Sequence, residues 1–412
     1  MAFETGTSLN HRDLLARLRR FITGRSVLST PVYVGVGNGI MSAIDSTPAS
    51  VSETWTITCI VTAANGGTFS VVGSVSGAQP NAVVGVPYSN AFISFLISDG
   101  SADFQLNNNF VFTTTRGKMS VDGNAWDLMR SDATELMVKG KGFGGTDEIY
   151  VNFKIFENAP SDIYNFVIQG AAGYIGANTV DDQPGQCRKV GLSLWNDPMK
   201  YWIIANGRRV IVVAKVSTFY VSGYFGLILP YGTPNQYPYP LFIGGNIPNR
   251  DTGSTAYYNT KNYTWNDYQN TNYWTPAASF SQHQLTNISL IDITNSQVFW
   301  LDGTWYDLTN GYSNGSGGGT PYSSHTFEVN HILPVNPYWS RENIDGSYEI
   351  VPHTLAMANP VRALAGELDG SYSISGFSNG AENTVTVGAD TYLVVQNVFR
   401  NGVSDFAAIL LA

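Results

Sequence analysis

Hydrophobic and polar positions change their spacing along this chain, and the changes mark its elements. Over residues 8–23, SLNHRDLLARLRRFIT, apolar side chains recur at helical intervals. Leu14, Leu15, Leu18, Phe21 and Ile22 share one face, while Arg12, Arg17, Arg19 and Arg20 fall mainly off it. Asn10 can accept from the free N–H groups of a first turn, Asp13 is a short stand-in for the capping-box acid, and Gly24 supplies the stop. The pattern predicts a helix of about three to four turns. A helix that short is marginal in water, so its stripe must rest on its own first domain or on a neighbouring subunit.

From about residue 28 the period becomes two. In ETWTITCIVTA, Trp55, Ile57, Cys59 and Val61 point one way and Thr54, Thr56, Thr58 and Ile60 the other. Turn signals such as AANGG and GAQPN punctuate the strands that follow. These features predict a mainly β chain: an N-terminal helical docking segment (1–27), then small antiparallel β-sandwich or barrel domains with long Gly/Asn/Tyr-rich loops. The first such module covers 28–118 and a central β-domain covers 119–249. In the latter, Ile149, Val151, Phe153 and Ile155 alternate on one face. The run YWIIANGRRVIVVAKV is apolar at both alternating positions, as a buried sheet requires. Its Asn206-Gly207 pair predicts a hairpin that sets Tyr201–Ala205 against Arg208–Val212.

Residues 250–365 read as a loop-rich aromatic lobe, inserted in or following the central domain. Within it HQLTNISLIDITNSQVFWLDGTWYDL predicts hairpins with turns at NSQ and DGT. Residues 366–412 read as a β-meander that closes the central domain, with its apolar last strand inside a sheet.

Composition sharpens this picture. The chain has 412 residues with 42 Gly, 23 Tyr, 21 Phe and 9 Trp, and only 13% of it is charged, against about a quarter in ordinary domains. Surface that is covered by other polypeptides needs less charge than free surface, although carbohydrate-binding β-proteins share the trait. A balance of 22 basic and 31 acidic residues, net −9, argues against a broad nucleic-acid footprint. The two cysteines, Cys59 and Cys187, read as separate small hydrophobes. No secretory signal is evident at the start. The apolar segment 210–230 is interrupted by Lys215 and by Ser, Thr and Gly, so it predicts a buried sheet and no membrane span.

Candidate chemistry is sparse. His325 and His331 flank Glu328, but an offset of six along a strand spans roughly 20 Å, too far for one metal. GKGFGGTDE at 140–148 lacks the ending of a phosphate loop and reads as a hairpin turn. Asp251, Asp267, Asp302 and Asp307 keep the aromatic company of glycan sites, yet turns account for Asp302 and Asp307. No catalytic residue, metal or cofactor is expected. Tyr257, Tyr258, Tyr263, Trp265, Tyr268, Tyr273 and Trp274 crowd one short segment, with Trp305 beyond it. Packing on a partner chain, stacking on sugars and internal packing all fit that cluster.

Several stretches resemble virion structural proteins of tailed bacteriophages from the tail and baseplate region. They are MAFETGTSLNHRDLLARLRRFIT, FSVVGSVSGAQPNAVVGVPYSNAFISFLISDG, NGRRVIVVAKVSTFYVSGYFGLILPYG and GELDGSYSISGFSNGAENTVTVGADTYLVVQNVFRNG. Relatives carry a Gly-Asp turn before an aromatic strand; here LNNNFVF puts Asn108 and Asn109 in that place. The resemblance implies a structural role in the virion tail, at the tip or baseplate, with assembly in the host cytoplasm as a homo-oligomer alongside other tail proteins. Under it the helix, with Arg17 and Arg20, docks on an adjacent virion component. Its five apolar side chains offer on the order of 7–12 kcal/mol gross if fully buried. The aromatic lobe then contacts another copy, a tail fibre or a host surface glycan. A receptor- or glycan-binding module, and a head–tail connector, collar or capsid decoration protein, are the alternatives.

Overall fold

The computed structural model describes residues 1–142, 148–186, 190–231, 241–245, 247–248, 292–299, 305–307, 350–357, 363–374, 379–396 and 406–411. The fold is mainly β, with several antiparallel sheets. The chain divides into two compact units. Unit 1 holds Met1–Arg17 and Trp126–Ala412, and unit 2 holds Leu18–Ala125. The division falls inside the helix His11–Ile22 at one end and just before Trp126 at the other.

Unit 1 is built around a seven-stranded sheet, sheet I. Its order is Ala2–Ser8, Met199–Ala205, Arg209–Val216, Phe219–Leu227, Leu241–Gly245, Asp292–Phe299, Trp305–Asp307. The first strand lies within the segment expected to be helical. AFETGTS has no strong pattern of its own, and its place comes from pairing with a strand about two hundred residues away, Ala2 opposite Ala205 and Ser8 opposite Met199. The Thr5 hydroxyl donates to the Tyr201 carbonyl at 2.9 Å, and the Tyr201 hydroxyl donates to Glu4 at 2.7 Å.

Both faces of the strands Met199–Ala205, Arg209–Val216 and Leu241–Gly245 are largely buried, which explains the unbroken apolar run. One face carries Trp202, Ile204, Ile211, Val213, Tyr224 and Phe242. It shares a core with Leu368, Leu393, Val395, Ala407 and Ile409 of sheet III, whose order is Leu229–Pro230, Ala363–Ile374, Phe406–Leu410, Asp390–Gln396, Thr384–Val387. The other face meets sheet II, ordered Asp127–Ser131, Glu135–Lys141, Glu148–Asn158, Ile163–Ala171, Val190–Leu194, Ile247–Pro248. There the Phe153 ring stands edge-on to Phe225 at 4.6 Å, and Gly223 leaves room for Ile168 and Leu192. Ile149, Val151, Phe153 and Ile155 are all buried, and so are Tyr150 and Asn152 on the opposite face of their strand.

Unit 2 contains sheet IV, ordered Val27–Leu28, Asn109–Thr115, Glu53–Ala63, Gly66–Gly73, Gly77–Val83, with Val32–Val34 also paired to Asn109–Thr115. Sheet V pairs Ile40–Ser46, Ile93–Ser98 and Tyr88–Ser89. One core joins them, with Trp55, Ile57, Phe69 and Phe110 from sheet IV against Tyr88, Ile93, Phe95 and Ile97 from sheet V.

Four local expectations need correction. Trp55, Ile57 and Cys59 are buried, but Val61 is exposed, because the pairing slips between Cys59 and Val61 and ends the alternation. The Asn206 hairpin forms in a different register, with Tyr201 opposite Ala214 and Ala205 opposite Val210. The Asn206 side-chain oxygen accepts from the N–H groups of both Arg208 and Arg209 at 2.9 Å, which puts Gly207 and Arg208 at the tip. In LNNNFVF the left-handed residue is Asn107 (φ 67°), while Asn109 already belongs to the strand. NSQ makes no turn: it lies within Asp292–Phe299, whose register against Leu241–Gly245 shifts there.

Candidate interaction surface

The apolar stripe of the helix His11–Ile22 is covered by the chain itself. Leu14, Leu15, Leu18, Phe21 and Ile22 are 0–5% exposed. A stripe buried in this way offers no free apolar surface to a neighbour, since so short a helix is stable only with that face covered. Arg17 pairs with Asp13 at 2.7 Å and donates to the Tyr201 hydroxyl at 3.4 Å; Arg20 is half-buried. Tyr257, Tyr258, Tyr263, Trp265, Tyr268, Tyr273 and Trp274 lie outside the described residues, as do Cys187, His325 and His331. Trp305 opens a strand opposite Phe299. Cys59 is a free, buried thiol, pushed above its ordinary pKa by burial.

The polar clusters of unit 1 act as fasteners. Arg209 is fully buried on the sheet III side of sheet I, and its Nε donates to Asp369 at 3.1 Å while Asn206 donates to the same carboxylate at 2.8 Å. Tyr224 beside them is pushed well above the ordinary phenol range by burial. A second cluster gathers on Glu382, itself left-handed at φ 72°. Lys200 and Lys215 face each other across adjacent strands, where like charges repel, and each reaches the Glu382 carboxylate at 2.6 Å. The Tyr220 hydroxyl donates to it at 2.6 Å. Burial alone would raise the Glu382 pKa; the bonds from Lys200, Lys215 and Tyr220 outweigh it and hold the carboxyl at about 2.

A third cluster ties the helix start to sheet II. Glu157 accepts two bonds at 2.7 Å from Arg12 and one from the buried His11. Burial lowers the His11 pKa against the opposing pull of Glu157. Among the described residues no group of three or more His, Cys, Asp or Glu is placed to hold a metal ion. No helix among them is long and apolar enough to cross a membrane.

Unit 2 presents a different surface. Between residues 26 and 115 there is no lysine or arginine, and the acids are only Asp45, Glu53, Asp99 and Asp103. Asp45 is paired with Arg19 and Arg25, and Glu53 is buried and bound by the N–H groups of Val75 and Ser76. The outward face of sheet IV carries none of them. Its central row runs Val32, Val111, Thr56, Val72, Ala78 across five strands, with Val34, Asn109, Thr58 and Ser70 as the next row. Val32 is 61% exposed, Val34 57% and Val72 41%. The result is a sheet face of valines and threonines without a single charge. Alternation in ETWTITC placed Thr54, Thr56 and Thr58 outward; the missing signal was the run of ninety residues without a cation, also legible in the chain.

No protein-family model matches this chain, and a search of curated proteins returned no significant match.

Proposed function

We propose that this chain is a structural component of a tailed-phage virion, at the tail tip or baseplate, and that unit 2 is a β-sandwich module of that particle. The observation that carries the reading is the uncharged Val/Thr face of sheet IV, since exposed apolar surface of this kind is characteristic of surfaces that other polypeptides cover. The resemblance of four stretches of sequence to tail and baseplate proteins supports the same role. Assembly runs through exposed β-surface and not through the helix stripe, which the chain buries. Immuno-electron microscopy of purified particles with an antibody to unit 2 tests this directly. Label at the tail end is the expected result; label spread over the heads, or particles that lack the chain, overturns it.

A further inference from the structure

The outward face of sheet IV selects its partner by what it lacks. Nucleic acid and anionic lipid need cations to displace counterions, and 26–115 has none. A strongly acidic protein would find no basic group there, and a strongly basic one would find no acid on this face. A second copy of the chain meets a different condition. At net −9, two copies carry the same excess charge, and a two-fold contact places each patch against itself, so that a patch of one sign repels its copy. An uncharged patch escapes that repulsion.

From these observations we propose that the Val/Thr face of sheet IV is a self-association surface on which a second copy of this chain docks face to face, with Thr56 and Val111 near its centre. The inference rests on the assembly role proposed above and names its partner. Stacked sheets pack about 10 Å apart with their side chains interdigitated. β-branched residues of even height, such as Val32, Val72 and Thr58, present the regular surface this needs. Five strands about 4.8 Å apart and about seven residues long give a footprint of roughly 500 Å². A standard stable interface buries about 800 Å² per partner. The isolated pair is therefore weak, in the micromolar range or above, and becomes firm when several contacts close together in an assembly.

Sedimentation equilibrium of the full chain from about 1 to 300 μM tests the proposal. Wild type self-associates, Thr56→Lys and Thr56→Glu each weaken association at least tenfold, and an equimolar mixture of the two recovers it. That recovery occurs only if the face meets itself. Val387→Lys, at an exposed position of unit 1, leaves association unchanged, and circular dichroism checks that each variant is folded. A monomer at every concentration overturns the proposal. So does association that the Thr56 charges leave untouched, which would place the contact elsewhere or assign this face to another protein. A chain that dimerises through Thr56 yet is missing from purified particles would sink the virion role and leave this inference standing.

Discussion

In unit 1 an ionised pair lies between sheets; in unit 2 the core shared by the sheets is aromatic and aliphatic, and the outward face of sheet IV carries no charge. Arg209–Asp369 bridges sheet I to sheet III, and the Glu382 cluster ties sheet I to the turn that leads into Thr384–Val387. The core of unit 2 is closed instead by rings, with Phe69 edge-on to Phe104 at 5.0 Å and Tyr88 stacked on Phe95 at 4.6 Å. Exposed large aliphatics follow the same division. Val32, Val34, Val36, Ile40, Val75 and Val86 all belong to unit 2, while the described part of unit 1 exposes only Leu9, Ile175, Leu229, Tyr231 and Val387 among large hydrophobics. Sheets I and III are joined by segments far apart in sequence, and a directional ion pair fixes one arrangement of such layers where apolar contact alone is permissive. Unit 2 also pairs strands far apart in sequence, Glu53–Ala63 with Asn109–Thr115 and Ile40–Ser46 with Ile93–Ser98, yet the core its two sheets share is aromatic and aliphatic.

The contrast can be broken at its strongest points first. Truncating Phe69→Ala removes a buried ring from the core of unit 2 and should cost about 3–5 kcal/mol, read as lost amide protection in Glu53–Ala63 and Gly66–Gly73; retained protection would show that another contact holds this core. Asp369→Ala leaves Arg209 buried without its partner and should cost a similar 3–5 kcal/mol, measured by denaturant unfolding. A loss under about 1 kcal/mol would mean that the pair is no fastener. Gly226 sits at φ 125°, and a Cβ there would lie 2.3 Å from the Arg208 carbonyl oxygen. Gly226→Ala should therefore cost about 1–3 kcal/mol, and a neutral result would argue against this crossing of strands.

Glu382 sharpens the contrast through pH. Its carboxyl titrates at about 2 in the folded chain against an ordinary 4.5. The unfolded chain thus takes up the proton first as pH falls, and the stabilisation is full above about 4.5 and lost as pH drops toward 2. Glu382→Gln should lower stability by about 1 kcal/mol at pH 7, because Lys200 and Lys215 are partly exposed, and should flatten the pH profile over that window; an unchanged profile would remove Glu382 as its source. The smallest effect is expected at the outer face, where Thr56→Lys should alter the stability of the dilute chain by no more than about 0.5 kcal/mol. A larger loss would show that the face already serves the fold of the single copy.

Part of this architecture is legible in the sequence. The stripe Leu14, Leu15, Leu18, Phe21, Ile22 marked a helix, and ETWTITC marked an inward row that the structure buries. The position of the Asn206 turn was readable, but its register was not, since the side chain of Asn206 takes two backbone N–H groups and moves the tip by one residue. Val61 escaped because a slip in pairing depends on the partner strand and not on the alternation of its own.

By itself the sequence determined what depends on neighbours along the chain: the mainly β composition, the helical spacing, the alternating faces of single strands and the stretch 26–115 without a cation. Only the tertiary structure decided that Ala2–Ser8 is a strand of sheet I, that the helix stripe is buried within the chain, and that Arg209 meets Asp369 while Glu382 meets two lysines. The physical reason is range. Periodicity and turn chemistry act over a few residues, whereas pairing between distant strands and the neutralisation of buried charge depend on which segments the packed core brings together.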